Sequence, residues 1–455
     1  MTRQLLCHAL MNTQRLWLRN PLAILADAPG GVVTEGGVIT ELIPAGGTPS
    51  TPAAVFDASR HVVIPGLINT HHHFFQTLTR CLPAALNRTL FGWLQALYPV
   101  WARLTPETLD AAVTVAMAEL LLSGCTTTTD HHYVFPAGLE NAIEIEAAVA
   151  QRLGIRAMFT RGSMNLSVRD GGLPPDSVVQ DIDTILADSA RLIDALHEPQ
   201  PHAMLQVALA PCSPFSVTQQ LMRATAELAD QRNVRLHTHL AETEDEADFC
   251  QARFGCSPLD YLEQCGWLRP GTWLAHGIHF SGADMARLGH AGVGVTHCAC
   301  SNQLLASGTC KVCALEAAGV AVGMGVDGSA SNDGSNLMRE VRAAFLLQRG
   351  VNGIAAVSHL DALRWATEGS AACIGRPELG RIAVGQAADL ALFTLDELRF
   401  SGIGDPLAAL VICGADWADR VMVGGRWVVV DGAIPGLDLG ALTRRHSAAA
   451  RRMHG

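Results

Sequence analysis

The sequence predicts an α/β protein, a (β/α)8 TIM-like barrel with a small β-sandwich domain built from both chain ends. Three observations predict it. From Ile64 to about Val326, eight short apolar runs are separated by helix-length stretches rich in Ala and Leu. Strands that alternate with helices pair in parallel, and eight such units close a barrel. At both chain ends the pattern changes to short β-type runs punctuated by Gly and Pro. Four of the eight runs also end in metal- or proton-binding side chains, at the C-terminal strand ends where barrel sites lie.

Residues 1–61 are the N-terminal part of the small β domain, with VVTEGGVITELIPAGG and AVFDASRHVVIPG as its strand-and-turn stretches. Residues 62–380 are the barrel. Its strands are predicted at Val62–Thr70, Thr126–His131, Ile155–Arg161, Leu205–Ala210, Val234–Leu240, Thr272–His276, Val293–His297 and Ala321–Asp327. Helical patterns such as Thr105–Leu122, Thr218–Gln231 and Ser281–Ala291 lie between them, and Leu337–Arg349 and Ser358–Gly369 follow. Residues 381–455 return to β character with ADLALFTL and DRVMVGGRWVVVDG, where Gly424-Gly425 marks a hairpin turn. They are the C-terminal part of the small domain, pairing with the N-terminal part around the inserted barrel.

With 455 residues the chain holds a large core and a smaller one. A net charge of −11 argues against a nucleic-acid partner but leaves carboxylates free to neutralise a cation. There is no 18-residue apolar run to span a membrane, and MTRQLLCHALMN has no apolar leader core. The 13 cysteines are scattered and odd in number, which fits free thiols in a cytoplasmic protein. Cys310 and Cys313 form a CxxC, with Cys298 and Cys300 upstream, but no thioredoxin-like βαβ unit surrounds them.

The chemistry sits at the strand ends. Strand one runs into His71-His72-His73, and residues two apart on a strand share a face. Strand five reads His237-Thr238-His239-Leu240-Ala241-Glu242, strand six ends at His276, and strand eight at Asp327. Three imidazoles and a carboxylate make a catalytic divalent metal site, with zinc the default and iron or manganese the alternatives. His71, His73, His239 and Asp327 are assigned as its ligands. His237 shares the face of His239 one layer deeper and is read as barrel interior; His72 faces away and is read as structural. Glu242, three residues beyond His239, suits a proton shuttle, against the plainer reading of a first-turn helix glutamate in an acidic run. His276 is placed to orient or polarise a water. For substrate binding the candidates are Gln76, Trp93 in the aromatic stretch FGWLQALYPVW, His131 at the end of strand two, and Arg161 at the end of strand three.

PGLINTHHH, HTHLAE, LAHG, HCACSNQLLASG and GVDGSASNDGSNL together resemble the amidohydrolase superfamily, in its branch of purine and s-triazine aminohydrolases. The resemblance covers essentially the whole chain. It implies the same ligand set, Glu242 as the proton-transfer group, His276 as the strand-six histidine, and Asp327 as proton acceptor for the attacking water. Two-metal members carry a carboxylated lysine on strand four; this chain's one lysine, Lys311, belongs after strand seven, so one metal is expected. Ala299 departs from the proline usual in the family's HCP.SN motif. HHHFFQTLTR, LFGWLQALYPVW and GVDGSASNDGSN are similar to bacterial 8-oxoguanine deaminases. That implies zinc-dependent conversion of 8-oxoguanine and water to urate and ammonia. Isoxanthopterin- or guanine-type deamination, and a hydroxyatrazine-type or chlorohydrolase reaction on an s-triazine, are the alternatives. The implied partner is a small heterocyclic substrate, and homo-oligomers occur in the family.

Overall fold

The computed structural model describes residues 14–454; the stretch MTRQLLCHALMN lies outside the described residues. The small-domain strands come first in the chain: β1 (Leu16–Arg19), β2 (Ala23–Ile24), β3 (Gly31–Glu35), β4 (Val38–Ile43), β5 (Ala54–Asp57) and β6 (His61–Pro65). Next come β7 (Leu67–Asn69), β8 (Cys125–His132), β9 (Arg156–Ser163), β10 (Leu205–Pro211), β11 (Leu236–Leu240), β12 (Thr272–His276), β13 (Gly294–His297) and β14 (Val322–Met324). These eight strands close a barrel in the order β10-β11-β12-β13-β14-β7-β8-β9, every pairing parallel. Nearly every residue in them is buried, because a parallel sheet is covered on both faces.

The expected first barrel strand, Val62–Thr70, is two strands. β6 pairs antiparallel with β15 (Leu390–Thr394) in the small domain, and only β7 enters the barrel. Pro65 and Gly66 make the break: proline has no N–H to continue a ladder, and a Cβ on Gly66 would stand 2.1 Å from Thr126 Oγ1.

β15, β16 (Arg420–Val423) and β17 (Arg426–Val429) complete a five-stranded sheet, β17-β16-β15-β6-β2, beside a four-stranded sheet, β4-β3-β1-β5. Leu18, Val32, Ile39, Val63, Leu390 and Met422 fill a separate small core. Both chain ends therefore build the smaller unit, as the returning β pattern predicted.

A buried ion pair ties the two units. Arg156, on β9, makes two 3.0 Å bonds to the Asp389 carboxylate and donates to His202 O and Ala203 O, while Gly424 N–H donates to Asp389 Oδ1. Both side chains are almost fully buried. Arg156→Leu strands the Asp389 charge, and a stability loss of about 3–5 kcal/mol is expected from urea unfolding; a loss below about 1 kcal/mol would show that the pair does not brace the units.

The last helix, Leu439–His454, lies on the barrel helix Pro106–Leu122 and on the turn Phe74–Thr79, just beyond the histidine motif. His446 Nε2 bonds to Thr77 Oγ1 at 3.1 Å, and His454 Nε2 to Leu78 O at 2.8 Å. Burial first, then the charges of Arg80 and Arg445, pushes the His446 imidazole down to about 4. Unfolded, a histidine titrates near ~6.5. Between those values the unfolded chain binds a proton that the folded chain refuses, so His446 supports the fold above pH ~6.5 and loses that support as pH falls toward about 4. The melting temperature of the wild type relative to His446→Gln is expected to fall between pH 7 and pH 5; a difference constant with pH would rule this out.

Candidate active site

His71 and His73 leave β7 in extended backbone that still exchanges ladder-type bonds with both neighbours. Thr70 N–H donates to Met324 O, Asp327 N–H to His71 O, and His131 N–H to His72 O. The two imidazoles therefore project on one side, as alternation requires, although regular β7 ends at Asn69. His239 arrives from β11 and Asp327 from just beyond β14.

Hydrogen bonds on the outer nitrogens settle which ring nitrogen is bare. His73 Nδ1–H donates to His131 O at 2.8 Å and His239 Nδ1–H to Cys212 O at 2.7 Å. His237 Nδ1–H donates to Trp273 O at 2.9 Å, so its Nε2 accepts from His71 Nδ1–H at 2.8 Å. All three Nε2 atoms are left with lone pairs and point at one another. His73 Nε2 and His239 Nε2 are 3.1 Å apart, and Asp327 Oδ1 is 3.3 Å from both His71 Nε2 and His73 Nε2.

Two facing lone pairs at that distance repel unless a cation lies between them. His71 Nε2 is buried without a hydrogen-bond partner. Donor atoms ~2.0–2.1 Å from a common centre at tetrahedral angles stand about 3.3 Å apart, matching the observed spacings. The donor set suits a divalent metal. His237 sits one layer deeper, as expected, and acts as the support that orients His71. His72 is turned away and bonds to Ser335 Oγ.

The ends of β11, β12 and β14 turn through left-handed backbone at non-glycine residues: Ala241 (φ 55°), His276 (φ 73°) and Asp327 (φ 63°). Such conformations cost energy and cluster at functional sites. At Ala241 the turn swings Glu242 into the cavity, and Glu246 holds that turn by accepting from Ala241 N–H at 2.7 Å. The acidic run thus divides: Glu244, Asp245 and Glu246 form the first helical turn, whereas Glu242 precedes it and lines the cavity. Burial first, and then the Asp327 charge, pushes the Glu242 carboxyl well above the usual carboxylate range. His276 Nδ1–H donates to Asn302 Oδ1 at 2.9 Å, leaving Nε2 bare at 3.5 Å from Glu242 Oε2 and 3.9 Å from Asp327 Oδ2. Ser301 Oγ–H donates to Asp327 Oδ2 at 2.6 Å, and Gly328 N–H to Oδ1 at 2.7 Å.

The cavity over these groups has apolar walls from Leu90, Trp93, Leu94, Phe215 and Leu305. Trp93 is locked by its Nε1–H bond to Ala330 O. Gln76 lines the cavity too; its Nε2 is 3.4 Å from Tyr133 Oη and its Oε1 has no partner. His131 lies behind the wall, stacked on His239 with ring centres 4.8 Å apart, its Nε2–H bonded to Ala210 O. Arg161 is also outside this cavity. Asp188, Gln180 and Gly162 O take up its guanidinium, which lies over Phe135 at 4.1 Å. Arg161 is expected to end its strand, but β9 runs on to Ser163, and the Arg161 side chain points between barrel and helices, where a partner carboxylate waits on the helix Ile182–Leu196. Sequence reasoning missed Tyr98, Tyr133 and Cys212, which also line the cavity. Tyr133 carried a signal, standing two residues beyond His131 on the same face. Cys212 stands just past the end of β10, and Lys311 is committed to Phe280 O.

The sequence pattern of the amidohydrolase family matches residues 62–428. The 8-oxoguanine deaminase of Pseudomonas aeruginosa is 61% identical over 96% of this chain and 98% of its own length. The hydroxydechloroatrazine ethylaminohydrolase of Pseudomonas sp. strain ADP is 40% identical over 86% of this chain and 82% of its own. Among solved structures, the atrazine chlorohydrolase of Arthrobacter aurescens, complexed with zinc, superposes with a TM-score of 0.89 at 30% identity, covering 96% of this chain and 100% of that one.

Proposed function

This chain belongs to the amidohydrolase family, and from that premise we propose that it is a hydrolytic deaminase converting 8-oxoguanine and water to urate and ammonia. The observation that carries the reaction type is a division of labour within one cavity. Three bare imidazole nitrogens and one carboxylate converge on a point, while a second carboxyl, Glu242, faces the same cavity from outside that set. The identity with the Pseudomonas aeruginosa enzyme favours the oxidised purine over the pterin and triazine alternatives.

In this reading His71, His73, His239 and Asp327 hold one divalent metal, zinc in first place. Bound there it would supply Lewis acidity, lowering the pKa of a water toward ~7. Asp327, gripped by Ser301 and Gly328, takes the proton that the attacking water gives up. Glu242, its carboxyl pushed above the usual carboxylate range, delivers a proton to the ring nitrogen beside the attacked carbon. It then takes up the remaining proton of the added hydroxyl as the new carbonyl forms and passes it to the departing amine; the proton held by Asp327 then restores Glu242. His276 Nε2, fixed by Asn302, orients the water between the two carboxyl groups. Trp93 offers an aromatic wall and Gln76 an open carbonyl for a planar heterocycle.

We assign catalysis to the barrel, from β7 to about residue 380, and a bracing role to the β domain built by β1–β6 and β15–β17. All the cysteines among the described residues are free, which suits a reducing cytoplasm. No helix of the described residues is long and apolar enough to cross a membrane. The test is product analysis with the zinc-loaded protein on 8-oxoguanine, isoxanthopterin and a hydroxyatrazine-type triazine. Urate and ammonia in equal amounts from 8-oxoguanine, at the highest kcat/KM of the set, is the expected result; turnover of the pterin or triazine alone would overturn the substrate.

A further inference from the structure

We propose that Tyr98 is a specificity-determining residue whose hydroxyl donates to the carbonyl that 8-oxoguanine carries on its five-membered ring. The assignment rests on the functional reading above and deepens it.

The cavity has two polar ends. Glu242, His276 and Asp327 form the reacting end. His239 separates that end from the other, because His276 stacks on it at 5.5 Å and 17° and His131 at 4.8 Å and 19°. Tyr133 packs edge-on against His131 at 5.4 Å and against His73 at 5.1 Å, which sets it on the His131 side. Gln76 reaches Tyr133 Oη, and Tyr98 and Cys212 line the same cavity.

Among the residues that line the cavity, Tyr98 Oη and Gln76 Oε1 are buried and unpartnered, and Gln76 Oε1 lies against Gly328, beside Asp327. A buried hydroxyl with no acceptor costs the fold its desolvation and returns nothing. Tyr98 is 1% exposed, on the helix Leu90–Trp101 that also carries the apolar wall. Packing alone would be served by phenylalanine there. The free O–H donor complements the carbonyl of a cyclic urea edge, in which that carbonyl is flanked by ring N–H groups. 8-Oxoguanine presents that edge on the ring opposite its amino-bearing carbon. Guanine presents a C–H at the same place. A site built to bond a polar group discriminates strongly against the analogue that lacks it.

Tyr98→Phe is the test, with Tm and metal content measured alongside kinetics on 8-oxoguanine and guanine. For guanine, Ki as a competitor serves if turnover is too slow to measure. The expected result is a fall of roughly 10- to 10²-fold in kcat/KM for 8-oxoguanine, carried mainly by KM. The guanine constant stays unchanged, and Tm is unchanged or higher. An equal loss for both purines, no loss for either, or a lower Tm with lost metal would overturn the assignment and leave Tyr98 a packing or structural residue. A wild type that leaves 8-oxoguanine untouched would instead remove the functional reading, and this assignment with it.

Discussion

Glu242→Gln is expected to lower kcat by about 10²–10⁴ while leaving the bound metal in place. The substitution keeps shape and burial and removes only the transferable proton. Glu242 stands outside the converging donors: its Oε2 is 3.5 Å from His276 Nε2, a nitrogen whose ring is held by Asn302. Burial and the neighbouring Asp327 charge push its carboxyl well above the usual carboxylate range, which favours the form needed to protonate a ring nitrogen. With that proton gone the heterocycle must accept negative charge unaided as water adds. Metal analysis beside the kinetics separates the roles. A Glu242→Gln protein that has lost its metal would make this residue a ligand, and one within a few-fold of wild-type turnover would end its role as proton carrier.

Asp327→Asn should cost more, about 10³-fold or beyond, because one carboxylate does two jobs. Its Oδ1 completes the donor set at 3.3 Å from two imidazole nitrogens, and its Oδ2 faces His276 at 3.9 Å. An amide there supplies a weaker oxygen donor and cannot take a proton from water. Both metal affinity and turnover are therefore expected to fall, and excess zinc is expected to refill the site without restoring the rate. Recovery to within tenfold of wild type at saturating zinc would show that another group takes the proton. The backbone adds to the contrast: Asp327 holds a left-handed conformation that the asparagine variant tolerates, so a lost rate is not a lost fold.

The converging imidazoles and carboxylate were legible in the sequence because period-2 alternation and strand-end position fix direction without any long-range contact. His71, His73, His239 and Asp327 come from three strand ends, and closing the barrel suffices to bring them together. Glu242 was harder, since its acidic run also reads as a helix start; the turn at Ala241, held by Glu246, is what separates it from the helix. Arg161 shows the limit. Its expected strand-end position said nothing of Asp188 and Gln180, whose approach depends on how a distant helix packs. Tyr98 was hidden inside an aromatic stretch, where core packing and a substrate contact share one composition. The first strand was read as continuous because its apolar run spans Pro65-Gly66, the point at which the chain leaves one sheet for the other.

The most direct measurement strips the protein with a chelator and follows ammonia release from 8-oxoguanine as zinc is returned in known amounts. A single site of three imidazoles and one carboxylate predicts no turnover in the stripped protein, a linear rise, and a break at one zinc per chain. A break at two, or turnover before any metal is added, would contradict it.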